Sequence, residues 1–225
     1  MKVETGIHGL DNSIGGGFPE NSAVLLIGPP STERETFCNQ FIYYGLERGE
    51  SAIYVTFNAS PEEIKGDMKK FGWNIEGKII VFVDVYSWKT NGKESKYAIN
   101  DPADLNTFNI ALSHAISELK NKNLKRCLID SLSALFLYVP TDLCIRFSSV
   151  VLNKFKKANT TQMVVLDKIA HEQRFFTDLS AITDCTLLMD LGKANKGSLK
   201  IARMKNAKYS GGPLNFKITK KGIEI

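Results

Sequence analysis

Along the first two thirds of the chain, two hydrophobic periods alternate. Short apolar or β-branched runs stand at Ser22–Ile27, Ser51–Phe57, Lys78–Val85, Lys125–Ile129 and Gln162–Leu166. Between them lie segments with apolar residues at helical spacing, Arg34–Arg48, Pro61–Phe71, Asp104–Asn121 and Asp142–Ala158. The strands are apolar almost throughout rather than every second residue, which is the pattern of strands buried on both faces. Their alternation with helices predicts an α/β fold with a central, mostly parallel sheet flanked by helices. The last third changes character. Cys185–Asp190, Leu199–Met204, Leu214–Thr219 and Gly222–Ile225 are short strands joined by the turns "GKANKG", "KYSGG" and "KKG". They predict a C-terminal antiparallel extension at the edge of the parallel sheet, and with no linker before it residues 1–225 read as one domain.

Local signals support these boundaries. Ser60-Pro61-Glu62-Glu63 places an N-cap serine, a proline at the first helical position and a capping-box glutamate at the third. The longest irregular stretch, Ser87 to Pro102, is polar and lysine-rich and reads as an exposed, mobile loop.

Composition narrows the class. A chain of 225 residues with 43% hydrophobic and 24% charged residues is that of an ordinary soluble domain. No apolar run reaches the roughly 18 residues that span a bilayer, and the N-terminus "MKVETGIHGL" has no apolar signal core; the expected location is the cytoplasm, away from membranes. Cys38, Cys127, Cys144 and Cys185 are far apart, without a C-x-x-C pair or zinc-type spacing, and read as buried, reduced thiols. His8, His114 and His171 are isolated and read as surface or hydrogen-bonded residues. The formal charge of +5 is modest, and its lysines look scattered along the chain. Tyr43, Tyr44, Trp73 and Trp88 fall on a mixture of helix and strand positions, as packing residues do.

Candidate chemistry concentrates in "VLLIGPPSTERETFCNQF", Val24 to Phe41. A strand, a short loop and a helix follow one another there, the setting of a phosphate loop G-x-x-x-x-G-K-[ST]. The surrounding residues resemble the RecA-superfamily domains of the KaiC/RadA-like group, in its archaeal KaiC-like form. The resemblance rests on "TGIHGLDNSIGGGFPENSAVLLIGPP", "NQFIYYGLERGESAIYVTF", "RCLIDSLSALF" and "LKIARMKNAKYSGGPLNFKITKKGIEI", in that order and over nearly the whole chain. It implies a RecA-like P-loop NTPase fold, a ring of like subunits, and ATP with Mg²⁺ held between them.

Mapped residue by residue, the family loop G-P-P-G-[ST]-G-K-T falls on Gly28, Pro29, Pro30, Ser31, Thr32, Glu33, Arg34 and Glu35, with Thr36 next. Asp130 falls on the carboxylate that holds the Mg²⁺ water, and Asn58 and Ala59 fall on the glutamate pair that activates the attacking water. Arg203 and Lys205 match, in swapped order, a Lys-x-Arg pair that reaches the neighbouring subunit's phosphates. Leu166-Asp167-Lys168 stands at a small-polar sensor segment. A working loop needs glycines where its backbone turns left-handed or closes on phosphate, a lysine for the β/γ oxygens and a hydroxyl for Mg²⁺. A left-handed Glu33 would cost roughly 1–2 kcal/mol. Glu33-Arg34-Glu35 carries −1 where the family triplet carries +1, and each unit charge at about 5 Å is worth on the order of 3 kcal/mol against a phosphate. Arg34 is expected to pair within its own turn or with Asp130. Neither Asn58 nor Ala59 can act as a general base, and the spacing of Glu62 and Glu63 fits capping rather than catalysis.

These departures lead to a KaiC-like protein with a degenerate nucleotide site: a pseudo-ATPase serving as a regulatory or scaffolding module, with copies of itself or a paralogous subunit as partners. One alternative is a divergent ATPase or kinase in which Arg34 and Asp130 still hold weakly bound ATP and Mg²⁺. The other is a single-stranded nucleic-acid binder of the RadA-paralogue kind, motivated by the positive balance and the lysine-rich loop.

Overall fold

The computed structural model describes residues 1–90, 95–168, 173–194, 196–209 and 211–225; the backbone alone is described at Thr32, Thr90 and Gln173. His171 lies outside the described residues. A small antiparallel pair, β1 (Lys2–Val3) with β2 (Phe18–Pro19), brackets the short helix α1 (His8–Ser13). The chain then runs β3 (Ala23–Gly28), α2 (Thr32–Glu47), β4 (Ser51–Thr56), α3 (Pro61–Lys70), β5 (Ile80–Asp84), β6 (Tyr97–Ala98), α4 (Leu105–Leu119), β7 (Leu124–Asp130), α5 (Thr141–Lys157), β8 (Thr161–Asp167), α6 (Gln173–Ile182) and four closing strands. These are β9 (Cys185–Leu191), β10 (Lys196–Met204), β11 (Pro213–Thr219) and β12 (Gly222–Glu224). Short 3₁₀ turns occupy Ser87–Thr90 and Leu132–Leu137.

Ten strands form one sheet in the order β12-β11-β10-β9-β3-β8-β7-β4-β5-β6. From β9 to β6 every neighbouring pair is parallel. The predicted α/β class and its antiparallel C-terminal extension are therefore present. One boundary moves. Cys185–Leu191 lies parallel to β3 and antiparallel only to β10, so the extension begins one strand later than the turn pattern indicates.

Strands β3 and β4 are buried at every position, and two apolar clusters lie on opposite faces of the sheet. Val24, Leu26 and Tyr54 point toward α2 and α3, whereas Leu25, Ile27, Ile53 and Val55 point toward α4 and α5. That two-sided burial is why these strands read as continuous apolar runs. The capping box at Ser60 forms as its sequence predicts: Ser60 Oγ accepts from the Glu63 N–H, and the Glu63 carboxylate accepts from the Ser60 N–H.

Two stretches depart from the pattern. Helix α6 was not predicted, although Phe175, Leu179 and Ile182 have i, i+4, i+7 spacing and contribute to the second cluster. The Ser87–Pro102 stretch carries a 3₁₀ turn and the edge strand β6 rather than being irregular throughout. All four cysteines are buried and free. Trp73 stacks between Phe71 and Tyr43, and Trp88 meets Tyr138 edge-on, so these rings pack against the protein. His8 and His114 are exposed.

Candidate nucleotide site

The candidate loop lies where β3 gives way to α2. Gly28 is the last residue of β3, and a Cβ there would come within 3.0 Å of the Met189 Cβ on β9, so a side chain at this position would crowd the neighbouring strand. Pro29 and Pro30 carry the chain out of the sheet. Ser31 has extended backbone (φ −170°, ψ 159°), and its hydroxyl accepts the Arg34 N–H at 3.2 Å, making it the N-cap of α2. The helix therefore starts at Thr32, inside the span where a phosphate loop would still be open.

Glu33 is part of this helix. The left-handed non-glycine residues among those described are Asn21, Asn123, Asn159, Ala194 and Asn206, so the strain anticipated at Glu33 does not arise. The sequence instead supplies what a helix start favours, a hydroxyl cap and two acids in the first turn, Glu33 and Glu35, facing the positive end of the helix dipole.

Arg34 turns inward. Its guanidinium is only 2% exposed; Nη1 pairs with the Asp167 carboxylate and also donates to the Gly28 carbonyl at 3.3 Å. This corrects the expected partner, since the ion pair is neither within its own turn nor with Asp130. The reason is register: β8 runs beside β3 with Gly28 opposite Asp167, which brings the carboxylate to the root of the loop. Asp167 is itself held by its N–H, which donates to Ser133 Oγ at 2.8 Å. Burial opposes the charge on Arg34, but Asp130 and Asp167 outweigh it and raise its pKa.

Asp130, at the end of β7, is buried. Tyr54 donates weakly to its Oδ2 at 3.4 Å and also reaches Asn39 Oδ1 at 3.2 Å, while Oδ1 of Asp130 has no partner among the described residues. Burial pushes the Asp130 carboxyl up, more than nearby Arg34 lowers it. Desolvation by the adjoining protein, followed by the charge of Asp130, likewise raises Glu35, and Asp67 and Glu33 add to the effect. Glu35, Thr36, Asn39 and Asp67 line a cleft of about 230 Å³ with Lys70, Phe71 and Ile218. The mouth of the site is acidic.

The remaining predicted residues make none of the described hydrogen bonds or ion pairs with Arg34, Asp130 or Asp167. Asn58 is exposed after β4, and Ala59 is half-buried with its carbonyl accepting from Thr56 Oγ1 at 2.6 Å. Glu62 pairs with Lys65, and Glu63 is committed to the helix cap. Arg203 on β10 donates to the carbonyls of Ser180 and Thr183 at the end of α6. Lys205 faces Asp184 at 3.7 Å. Both cations thus have partners in their own chain. Tyr54 and Asn39, which complete the surroundings of Asp130, were missed in the sequence; a tyrosine within the buried run "AIYVTF" was the available signal, since a buried phenol needs a partner.

A mostly parallel sheet with a strand–loop–helix leading from β3, and carboxylates at the ends of β7 and β8 beside it, defines the RecA-like class of ATPase folds. Within that class, the chain belongs to the KaiC family: the family model described as "ATPase: KaiC" matches residues 3–225. A UPF0273 protein of Methanocaldococcus jannaschii is 31% identical over 236 residues, covering all of this chain and 96% of the relative. A UPF0273 protein of Methanopyrus kandleri is 29% identical over 234 residues, with 91% of it covered. The crystal structure of a KaiC-like protein from Pyrococcus horikoshii superposes with a TM-score of 0.77 at 28% identity, covering all of this chain and 98% of that one.

Proposed function

We propose that this KaiC-family chain is a pseudo-ATPase, a single RecA-like domain with a degenerate phosphate loop that works as a regulatory or scaffolding module. The observation that carries the reading is the inward Arg34. The only cation of the loop is spent on Asp167 and the Gly28 carbonyl, and the positions on either side of it are carboxylates. An incoming triphosphate would meet Glu33 and Glu35 with no cation of the loop free to offset them, against a repulsion on the order of 3 kcal/mol per close charge pair. Asn58 and Ala59 add an independent argument, because neither can take a proton from water. Partners on this reading are further copies of the chain or a paralogous subunit, and the four free, buried thiols suit a reducing cytoplasm.

The test is restoration. Glu33→Gly, Arg34→Lys and Glu35→Thr together restore the Gly-Lys-Thr end of the family loop, and the triple variant gains Mg-ATP binding that the natural chain lacks. Equal binding by both overturns the reading.

A second reading has one observation in its favour. Oδ1 of buried Asp130 has no hydrogen-bond partner among the described residues, a carboxylate oxygen that a cation would satisfy if the site opened. A divergent ATPase built on it would hydrolyse ATP above an Asp130→Ala control, and equal rates end that reading.

A further inference from the structure

The positive charge of this chain is not scattered, as the sequence suggested, but gathered. Residues 185–225 hold nine of the 29 basic residues and only two of the 24 acidic ones, a balance of +7, so the preceding 184 residues balance to −2. The last strands turn one face to the first apolar cluster through Leu199, Ile201 and Phe216. On the opposite, uncovered face the register aligns Lys196 with Lys217, Ser198 with Asn215 and Asp190, and Lys200 with Pro213. Lys196, Lys200 and Lys217 are exposed there.

Two lysines directly opposite each other on neighbouring strands repel; Glu224, across from Lys217 on the far side, offsets only one of them. The two acids of this face are engaged: Asp190 with Lys168, and Glu224 with Lys217 at 3.4 Å. Lys196 and Lys200 have no ion-pair partner among the described residues. Lys193, Lys220 and Lys221 extend the positive field through the adjoining turns.

We infer that this face of β10 and β11 is a docking surface for the phosphate backbone of double-stranded nucleic acid. The chemistry distinguishes this partner from others. Lysines act as point charges that suit phosphates without reading bases, and Ser198 and Asn215 add neutral donors between them. Phe216 points into the core, so the face offers no aromatic platform of the kind that single strands stack on. It has no large apolar side chain to anchor in a lipid surface or to centre a protein interface. The inference goes beyond the pseudo-ATPase reading, and its test uses no nucleotide.

The experiment is fluorescence anisotropy of a labelled duplex of about twenty base pairs, titrated with the full chain from about 25 to 200 mM salt. The natural chain binds with an affinity that falls steeply with salt. Lys196→Gln, Lys200→Gln and Lys217→Gln together reduce the slope of log K against log salt by about 2–3 and weaken binding by at least a hundredfold at 50 mM salt. The corresponding Lys→Arg triple retains binding, and Lys120→Gln with Lys157→Gln, placed on the far helices, changes it far less. Absence of salt-dependent binding by the natural chain overturns the inference. So do an equal loss in the far control, preference for a single strand, and loss in sedimentation of self-association, rather than duplex binding, in the glutamine triple.

Discussion

Arg34 and Asp167 are 133 positions apart in the chain and form one ion pair, in which the arginine is 2% and the aspartate 21% exposed. The pair joins the first turn of α2 to the end of β8, at the point where a KaiC-family loop would receive phosphate. Its contribution is measurable. Asp167→Ala leaves the guanidinium buried without its carboxylate and is expected to cost about 3 kcal/mol in urea denaturation. Replacing both residues, with Arg34→Met and Asp167→Leu, recovers most of that loss. A single variant that melts within about 2 °C of the natural chain would show that the pair is not structural.

Arg126 provides a second prediction. It is 1% exposed, donates to the carbonyls of Glu4 and Phe41 at 2.9 and 2.7 Å, and pairs with Glu50. Gly45 on α2 leaves room for it: a Cβ there would overlap Arg126 Nε and the Glu50 carboxylate. Gly45→Ala is a favourable change for helix propensity alone, yet here it is expected to destabilise by about 3 kcal/mol or more. Thermal melting decides between the two signs.

Asp184 sets a pH dependence. Burial disfavours its charge, but the Ala23 N–H at 2.9 Å and Lys156 at 2.6 Å prevail, so its folded pKa lies below the ordinary value. A lowered carboxylate pKa stabilises above the unfolded value near 3.8, and that stability is lost as pH falls through the folded value. Asp184→Asn is therefore expected to be less stable than the natural chain at pH 7, with the difference closing below about pH 4. A gap that stays constant from pH 7 to pH 3 contradicts the assignment.

The cap of α3 is a smaller, local case. Ser60→Ala removes the acceptor of the Glu63 N–H and is expected to cost about 1 kcal/mol. Because Pro61 and Glu63 remain, the helix itself persists in far-ultraviolet circular dichroism while the chemical denaturation midpoint drops.

How much of this was legible in the sequence depended on distance along the chain. The buried runs of β3, β4, β7 and β8 and the helices between them follow from local periodicity, and so does the capping box at Ser60. The parallel pairing of β9 with β3 does not, because a short strand before a turn reads the same in either direction. Glu33 appeared strained only while the loop was assumed to keep its family shape. With Ser31 as N-cap, the same glutamate is an ordinary first-turn residue. The partner of Arg34 required the register of β8 on β3, and the basic face required the pairing of Lys196 with Lys217. Both arise from contacts between strands, which no single segment carries.

Loss of ATP from this loop, as proposed, is tested most directly by isothermal calorimetry of Mg-ATP against the natural chain. A degenerate loop gives no binding heat at micromolar concentrations and no phosphate release. Micromolar affinity, with a turnover that disappears in Arg34→Ala, would contradict it.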